Sequence, residues 1–425
     1  MTDYQSAHAD AIFEVRKTER SCPVASRDFD VVLYGASGFT GKQTVSYFRD
    51  HAPAGLRWAI AGRNEDKLRK VAQDLVPEVP VLVADGDDEP ALDHLCRSAR
   101  VVLTTAGPFS VYGRKLVDAC VKNDSHYVDI TGETPFAADL ISAHHETAKS
   151  QGTRIIPFAG FDSIPSDLSA FICARELSSR GTTARRVSTS FKAKGGLNGG
   201  TVATALEMSM SGRMGELRDV LLLNPEDQRS DTEREDSSDL LWPKRDPVRQ
   251  TWLAPFVMGP INSRVVRRSN ALFNELGAGY GPSFSYEESY EAGGRVSASF
   301  VSIGMAIFDL LLKFRLGRGL VKALAPSPGQ GPSEQTMDNG FFRCRSVAHG
   351  DDGSVIMVTI SANGDPGNRV TVNALCESAL ALAVDEDKLP GGDNYGGVLT
   401  PMTGIGDALI HRLKATGWSI VVEDI

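Results

Sequence analysis

Three glycines, each separated from the next by two residues, form the motif with the clearest chemical meaning in this sequence. Gly35, Gly38 and Gly41 lie in the stretch DVVLYGASGFTG, between an apolar run, Val31 to Tyr34, and a helical pattern from Lys42. Glycine adopts backbone angles closed to other residues, and without a Cβ it lets a diphosphate approach main-chain N–H groups. We predict a strand, a tight turn and a helix that bind a dinucleotide. The alternative is a glycine turn in an α/β fold without a nucleotide.

Two basic residues follow the next apolar run. Leu56 to Gly62 reads as a second buried strand; Arg63 comes directly after it, and Lys67 lies one helical turn further on. At this position NAD enzymes usually carry a carboxylate that binds the ribose hydroxyls. A cationic group instead suits a 2′-phosphate, which a carboxylate would repel. The sequence therefore favours NADP(H), with a solvated arginine at a helix start as the alternative.

The ends of two further strands complete the expected cofactor site. Asp85 ends the third strand, where its carboxylate could accept a hydrogen bond from the adenine amino group or could cap a helix. The fourth strand, within Ala99 to Phe109, leads into a turn at Gly107 and Pro108. Cofactors cross the carboxyl ends of the strands in open α/β sheets, so this turn is expected beside the ribose and nicotinamide.

Candidate catalytic side chains lie close to the same strand ends. Tyr112 follows the glycine–proline turn, and it could donate a proton or pack at the domain boundary. Asp162 and Ser163 follow another strand in the motif GFDSIPSDLSAF and could orient the carboxamide or a water molecule. The alternative makes Asp162, Ser166 and Asp167 helix caps. Thr201, behind a run of glycines, is a further candidate at the substrate end.

Strands alternate with helices as far as about Phe161, which predicts a Rossmann-type, doubly wound parallel sheet in an α/β protein. From Ala184 the pattern changes to longer extended segments, which predict a second α+β domain with a mixed or antiparallel sheet. The expected divisions are a polar extension over 1–29, a Rossmann domain over 30–165, a substrate domain over 166–367, and closing helices over 368–425 that pack back on the Rossmann domain.

The segment from Val301 to Pro326 is the most apolar part of the second half. Its uninterrupted apolar part is shorter than the ~20 residues that a membrane span needs, and Asp309, Lys313 and Arg315 interrupt it. A helix of the core or of a dimer interface is the simpler interpretation. The alternative is a helix that rests on a membrane surface, or on an acyl carrier partner, with its basic residues facing outward.

Composition limits the remaining function classes. The chain of 425 residues is long enough for two domains, and its net charge of −9 argues against binding to nucleic acid. Its 6 cysteines occur singly, without the spacing of a metal site, and His144 and His145 are expected to be solvated. The N-terminal residues lack the apolar core of a secretion signal. These features predict a cytoplasmic protein without a metal, and membrane contact only at its periphery.

Nine motifs together resemble the saccharopine-dehydrogenase-like oxidoreductases, in particular the branch of the trans-acting enoyl reductases. They are VVLYGASGFTG, IAGRNEDKL, TTAGPFSVYG, YVDITGE, GFDSIPSDL, NGGTVAT, VVRRSNAL, PSPGQGPSE and LTPMTGIGDALIHRL, and they cover nearly all the chain after about Asp28. The resemblance implies a Rossmann domain for NADP(H), a second α/β domain over the nicotinamide, and a closing helical segment that rejoins the first domain.

The resemblance also implies roles for individual residues. The diphosphate site would comprise Gly35, Ser37, Gly38, Phe39, Thr40 and Gly41; the 2′-phosphate site Arg63 and Lys67; the adenine site Asp85; and the nicotinamide side Ala106, Gly107 and Pro108. The substrate in that branch is an α,β-unsaturated acyl thioester made by a polyketide synthase without an active reductase of its own. A homo-oligomer and an acyl carrier or synthase partner are further expectations.

Two other functions remain open from the sequence. A saccharopine-type enzyme would oxidise or reduce a C–N or C=O bond and would need cationic side chains for substrate carboxylates. The second half shows no obvious pair of arginines for such a clamp, although Arg264, Arg267 and Arg268 leave the question open. The other possibility is a lipid-associated, non-catalytic protein that retains the nucleotide-binding fold, which rests on the apolar segment from Val301 to Pro326.

Overall fold

Two seven-stranded sheets make up the framework of the protein. The computed structural model describes residues 27–196, 199–229, 233–234, 237, 239–324, 326 and 330–425. Most of the predicted N-terminal extension lies outside these residues. The strands are β1 (Phe29–Tyr34), β2 (Trp58–Gly62), β3 (Val81–Val83), β4 (Ala99–Thr104), β5 (His126–Asp129), β6 (Arg154–Ile156), β7 (Ala184–Lys194), β8 (Lys244–Asp246), β9 (Thr251–Ala254), β10 (Ser285–Ala292), β11 (Phe341–Gly350), β12 (Val355–Asn363), β13 (Gly397–Val398) and β14 (Ser419–Asp424).

The helices lie between these strands. They are α1 (Phe39–His51), α2 (Glu65–Leu75), α3 (Glu89–Ser98), α4 (Phe109–Tyr112), α5 (Arg114–Lys122), α6 (Thr134–Gln151), α7 (Ile164–Ser179), α8 (Gly199–Met210), α9 (Gly259–Glu275), α10 (Arg295–Lys313), α11 (Arg315–Leu324), α12 (Glu334–Asp338), α13 (Thr371–Val384), α14 (Pro401–Gly404) and α15 (Asp407–Ala415).

The first sheet is entirely parallel, in the order β13-β6-β5-β4-β1-β2-β3. Both faces are covered. Val31 and Leu33 of β1 enter one hydrophobic core, whereas Val32 and Tyr34 enter the other, as the twofold alternation of a strand requires. The strand order reverses between β1 and β4, so a crevice opens at their carboxyl ends. The predicted Rossmann sheet is confirmed.

The second sheet is mixed, in the order β14-β12-β11-β7-β10-β9-β8. The strands β11 and β12 form the predicted antiparallel hairpin, whereas β10 lies beyond β7 and runs parallel to it. Helix α7 packs on β7, β11 and β12, and α9 packs on β10. One core is continuous from the first sheet through α7 and α13 to the second sheet. This continuity fixes the two sheets around the crevice.

The C-terminal segment differs from the expected set of helices alone. Helix α13 packs on α1, β1, β4 and β5, and β13 extends the first sheet. Strand β14, however, pairs antiparallel with β12 at the edge of the second sheet. Five of its six residues are exposed, without regular alternation, so the sequence gives no strand pattern there. The segment 368–425 therefore serves both sheets.

The apolar segment forms two helices instead of one. Helix α10 begins at Arg295, six residues before the expected start, and α11 follows after Phe314. Most of the large side chains are exposed, so the interpretation of a core helix is wrong. By length and composition alone α10 could cross a membrane, and it is the one helix among the described residues for which this holds.

Candidate functional site

The glycine turn between β1 and α1 forms an open cradle. Gly35 has a φ of +87°, which strains any other residue, and a Cβ there would lie 3.1 Å from the main-chain N of Ala106. A Cβ on Gly41 would lie 2.1 Å from the carbonyl oxygen of Gly35. Gly38 precedes α1 and is exposed, and its position carries no side-chain cap. The helix N-terminus therefore offers its N–H groups to an anion, and the residues present fit a diphosphate.

A buried carboxylate positions the neighbouring turn. Glu133 is only 2% exposed, and its two oxygens accept from the main-chain N–H groups of Phe109 at 2.6 Å and Ser110 at 3.0 Å. These bonds satisfy the start of α4 and hold Pro108 and Gly107 at the mouth of the crevice. Sequence reasoning assigned no role to Glu133. An acidic residue four positions after β5 and immediately before α6 was the feature that could have indicated it.

Two cations project into solvent at the end of β2. Arg63 and Lys67 are exposed, and neither forms an ion pair with another described residue. Asn64 lies between them and caps α2, because its Oδ1 accepts from the main-chain N of Lys67 at 2.9 Å. The cap leaves the arginine and lysine side chains available for a ligand, which fits a 2′-phosphate.

The expected adenine contact, Asp85, is also exposed. Its Oδ1 accepts from the main-chain N of Asp87 at 3.0 Å and closes the turn after β3. The cap of α3 is a different residue, Asp88, which accepts from Ala91 at 3.1 Å. Helix capping therefore does not account for Asp85, and one of its carboxylate oxygens remains available for a ligand.

The three catalytic candidates have different environments. Tyr112, at the end of α4, is 47% exposed and is not packed at the domain boundary. Asp162 is half-buried in the turn between β6 and α7, and no hydrogen bond to its carboxylate occurs among the described residues. Burial raises the pKa of Asp162 to about 6. Ser163 is fully buried and donates to Oδ1 of Asn262 at 3.0 Å, which gives it a structural contact.

Ser163 belongs to a buried polar network around Glu288. The carboxylate of Glu288 accepts from Nδ2 of Asn262 at 2.7 Å, and from the hydroxyls of Ser166 and Tyr286 at 2.9 Å each. The network joins α7, α9 and β10 below the crevice. Burial raises the pKa of Glu288 to about 7 even with these three donors. Asn262 and Glu288 were not predicted, because only the tertiary fold brings them to the GFDSIPSDL motif.

Two of the residues that could have been helix caps have a different role. Ser166 and Asp167 lie within the first turn of α7 and are completely buried. Asp167 accepts from the hydroxyl of Ser269 and from the main-chain N of Met402 at 2.9 Å. The capping interpretation is therefore wrong for this pair. Both carboxyl-bearing networks tie α7 to the rest of the molecule.

The three arginines of α9 are structural. All three side chains are at most 2% exposed. Arg264 pairs with Asp239 at 2.9 Å; Arg267 donates to the carbonyl oxygens of Val220 and Tyr286; and Arg268 donates to those of Leu223 and Val398. Their terminal N–H groups are bound by carbonyl oxygens or a carboxylate of the protein itself and are buried, so this set does not form a clamp for substrate carboxylates.

A loop of the second domain covers the glycine turn. A Cβ on Gly331 would lie 2.3 Å from ring atoms of Phe39, so only a glycine allows this close contact. The carbonyl oxygen of Gln330 accepts from the main-chain N of Gly199 at 3.0 Å, at the start of α8. The glycine motif NGGTVAT and the motif PSPGQGPSE therefore meet beside α1. The side chain of Thr201 lies outside the described residues.

No metal site was expected, and in the described part of the chain no three His, Cys, Asp or Glu residues are grouped as a metal would require.

The expected solvation of both histidines is wrong for His145. This ring is half-buried, its Nδ1 lies 3.2 Å from Arg268 and from the main-chain N of Val398, and burial lowers its pKa to about 4. His144 is paired with Asp118 at 2.7 Å.

Comparison with solved structures supports the two-domain fold. A saccharopine dehydrogenase (L-Glu forming) from Saccharomyces cerevisiae aligns with a TM-score of 0.52 over 93% of this chain and 99% of that chain, at 12% identity. The homospermidine synthase from Legionella pneumophila, solved in complex with NAD, aligns with a TM-score of 0.52 over 95% of this chain and 92% of that chain, at 10% identity. At such low identity these similarities establish the fold alone.

Sequence comparison is more specific. Residues 31–156 match the saccharopine dehydrogenase NADP-binding domain. A Mycobacterium tuberculosis protein, provisionally named a trans-acting enoyl reductase, is 38% identical over 419 residues, which span 93% of this chain and 97% of that protein. The trans-acting enoyl reductase of Mycobacterium bovis is 36% identical over 420 residues, 92% of this chain and 97% of its own length. The chain therefore belongs to the trans-acting enoyl reductase family of saccharopine-dehydrogenase-like oxidoreductases, and its first domain binds a nicotinamide dinucleotide.

Proposed function

We propose that this protein is an NADPH-dependent reductase of the C=C bond in an α,β-unsaturated acyl thioester. The observation that carries the proposal is the open glycine cradle beside two unpaired cations, Arg63 and Lys67. The two residues that directly follow β2 are Arg63 and Asn64, at the position where NAD enzymes carry a carboxylate. The names of the relatives supply the substrate class.

The chain's own groups would bind and orient the cofactor. Main-chain N–H groups between Gly35 and Gly41 would hold the diphosphate, and Arg63 and Lys67 the 2′-phosphate. Asp85 would accept from the adenine, and the turn of Ala106, Gly107 and Pro108 would line the nicotinamide side. When bound, NADPH supplies a hydride to the β-carbon of the substrate.

Reduction also needs a proton at the α-carbon and hydrogen-bond donors at the thioester oxygen, where negative charge develops. Asp162 would supply the proton, since its raised pKa, about 6, keeps part of the carboxyl groups protonated close to neutral pH. Its carboxylate would recover a proton from water after each turnover. The exposed hydroxyl of Tyr112 would donate to the thioester oxygen, and Ser163 would hold the Asp162 turn through Asn262.

The substrate's acyl chain would arrive on a carrier, because the relatives are described as acting in trans. We propose a polyketide synthase, or its acyl carrier domain, as the partner, and the cytoplasm as the location. A homo-oligomer remains a prediction.

Titration of nicotinamide fluorescence with NADPH and NADH tests the cofactor, and addition of a crotonyl-type thioester tests the reaction. We expect tighter binding of NADPH and loss of the reduced-nicotinamide absorbance with the thioester. Turnover on a keto acid plus an amino acid, with none on the thioester, would instead establish a saccharopine-type C–N oxidoreductase. Failure to bind either nucleotide would leave a non-catalytic protein.

A further inference from the structure

The outer surface of α10 carries an unbroken apolar stripe. Its exposed members recur every three or four residues, which places them on one face of the helix over about 21 Å. They are Val296, Phe300, Ile303, Ile307 and Leu310, and Phe300 is 71% exposed. Phe314, directly after the helix, is also exposed. The outward stripe of a helix in a globular protein is normally polar. Here the apolar stripe faces solvent.

The opposite face of α10 holds it on the protein. Ala298, Ser302 and Leu312 are buried, and they lie roughly half a turn away from the exposed stripe. Helix α10 packs on β9 and β10, and the carbonyl oxygen of Leu312 accepts from the hydroxyl of Ser209 in α8 at 2.6 Å. A membrane span would have to expose this inner face to lipid. The contacts therefore fit a helix that lies on a surface.

Helix α11 continues the same surface. Leu316, Leu320 and Leu324 are exposed at four-residue intervals, and Leu316 is 89% exposed. Gly317 packs so closely on α10 that a Cβ would lie 2.2 Å from the carbonyl oxygen of Leu311. Arg318 donates to the carbonyl oxygen of Leu312 at 2.9 Å and satisfies the end of α10. We call α10 and α11 the apolar hairpin.

The charge of the apolar hairpin is opposite to that of the whole chain. Residues 295–324 carry five cationic side chains and one carboxylate, although the protein has a net charge of −9. The cations are Arg295, Lys313, Arg315, Arg318 and Lys322, and the carboxylate is Asp309, paired with Lys313 at 2.6 Å. Apolar side chains flanked by cations are the combination that binds an anionic lipid surface.

We propose that the apolar hairpin docks the protein on the surface of a membrane that contains anionic lipids. The exposed side chains of both helices would enter the boundary between headgroups and acyl chains, and the cations would contact the headgroup phosphates. A second copy of the chain fits less well, since a symmetric pairing of two hairpins would bring ten cations together. This inference goes beyond the proposed reductase activity.

The apolar hairpin is connected to the cofactor crevice by a short segment of chain, so docking would place the membrane close to the crevice. Helix α11 ends six residues before Gln330, and Gly331 packs on Phe39 of the glycine turn. Helix α8 links the two regions: its Ser209 donates to the carbonyl oxygen of Leu312 in α10, and its first residue, Gly199, donates to the carbonyl oxygen of Gln330. A hydrophobic acyl substrate at the membrane surface would therefore be near the site that reduces it.

Flotation of the full-length protein with vesicles tests the proposal. The vesicles are phosphatidylcholine alone or phosphatidylcholine with phosphatidylglycerol, at low and high salt. We expect binding to the anionic vesicles that weakens with salt. The double variant Ile303→Gln/Ile307→Gln should reduce partitioning by at least about tenfold, because two exposed apolar side chains no longer enter the lipid. Leu241→Gln/Val248→Gln, on exposed apolar residues elsewhere, should bind like the wild type.

The hairpin substitutions are at exposed positions, so the variants should fold. Binding of NADPH by each variant checks this. Vesicle binding that survives the hairpin substitutions would overturn the proposal. A wild-type protein that ignores vesicles, but forms a dimer that the Ile303→Gln/Ile307→Gln change dissociates, would assign the surface to a second copy. Binding of an isolated acyl carrier domain through these residues, without vesicle binding, would assign it to a protein partner. None of these three results bears on the reductase activity, which is measured separately with soluble substrates.

Discussion

Cofactor choice depends on single charged side chains at the end of β2. Arg63 and Lys67 are exposed and form no ion pair with the described residues, so their charge is available to a ligand. A 2′-phosphate would form charge-assisted hydrogen bonds with them, and NADH lacks that phosphate. The preference between the two nucleotides should therefore reside in this pair.

Replacement of Arg63 by alanine tests this role. Arg63→Ala should weaken NADPH binding by roughly 1–3 kcal/mol, because a hydrogen bond between charged groups is lost, and should leave NADH binding nearly unchanged. Dissociation constants from nicotinamide fluorescence give both values. Arg69→Ala is the matched control, since Arg69 is a nearby exposed arginine on α2 that is paired with Glu65. An equal loss for both nucleotides would refute the 2′-phosphate contact.

The pH dependence of turnover tests Asp162. Burial raises its pKa to about 6, and a proton donor must be protonated, so the rate should fall as the pH rises above about 6. Asp162→Asn should lower kcat by about 100-fold or more and remove this dependence, while NADPH binding stays unchanged. A pH profile that is unchanged in Asp162→Asn would show that another group donates the proton.

Residues at the ends of strands could be predicted from the sequence, because their types and positions carry the chemistry. The glycines and Arg63 are of this kind. Glu133, Asn262 and Glu288 differ, since their role comes from partners that are distant along the chain. The polarity of Ser163 did not reveal that its hydroxyl donates to Asn262 in the interior. Burial and partner identity are properties of the fold.

The strand, turn and helix at β1 and α1 form one functional element. Gly35 and Gly41 bring the helix N-terminus against the end of the strand, at a separation that leaves no room for a Cβ. Phe39 then lies beneath Gly331 of the second domain. Even the methyl group of an alanine at Gly35 or Gly41 would therefore disturb the geometry of this element.

Gly41→Ala should disrupt cofactor binding without unfolding the protein. The new methyl group would lie 2.1 Å from the carbonyl oxygen of Gly35, so α1 must move away from the turn. We expect at least about tenfold weaker binding of both nucleotides, in contrast to the selective effect of Arg63→Ala. Gly215→Ala is the control, because no atom lies within 4 Å of the added Cβ. Normal affinity in Gly41→Ala would contradict the cradle.

Elements with regular patterns were predicted well, and those defined by partners were not. The strands of the first sheet follow from continuous apolar runs, because both faces of that sheet are buried. Strand β14 was missed since its pairing with β12 gives no hydrophobic alternation. The apolar hairpin was interpreted as a core helix because apolar spacing does not show which face is covered.

At the scale of the whole molecule, three buried carboxyl groups link the stability of the fold to pH. Asp129, Asp167 and Glu288 are buried, and burial raises the pKa of each to about 7. The folded state therefore binds their protons more tightly than the unfolded chain does. The contribution of this proton binding to the free energy of unfolding is fully present below the unfolded-state pKa, and it is lost as the pH rises through about 7.

The free energy of unfolding should consequently fall between about pH 4 and pH 7, the unfolded-state and folded-state pKa values of these carboxyl groups. Glu288→Gln removes one titrating group and keeps a side chain that can bond Asn262, Ser166 and Tyr286. Across this pH range, the free energy of unfolding of the variant should fall by roughly 1–3 kcal/mol less than that of the wild type, as measured by denaturant titration at each pH. Glu287→Gln is a neighbouring control, because its carboxyl has a lowered pKa and should not contribute to this decline. An unchanged profile in Glu288→Gln would show that Glu288 stays ionised in the folded state.

The central claim is that the crevice reduces a C=C bond, and isotope analysis of the product tests it most directly. The protein would be incubated with a crotonyl-type thioester and NADPH that carries deuterium at the transferable position, and the product examined by mass spectrometry and NMR. We predict a saturated thioester with one deuterium at the β-carbon, and a second at the α-carbon when the solvent is D₂O. An unchanged thioester, together with deuterium transfer to the carbonyl carbon of a keto acid in a parallel incubation with a keto acid and an amino acid, would contradict the account.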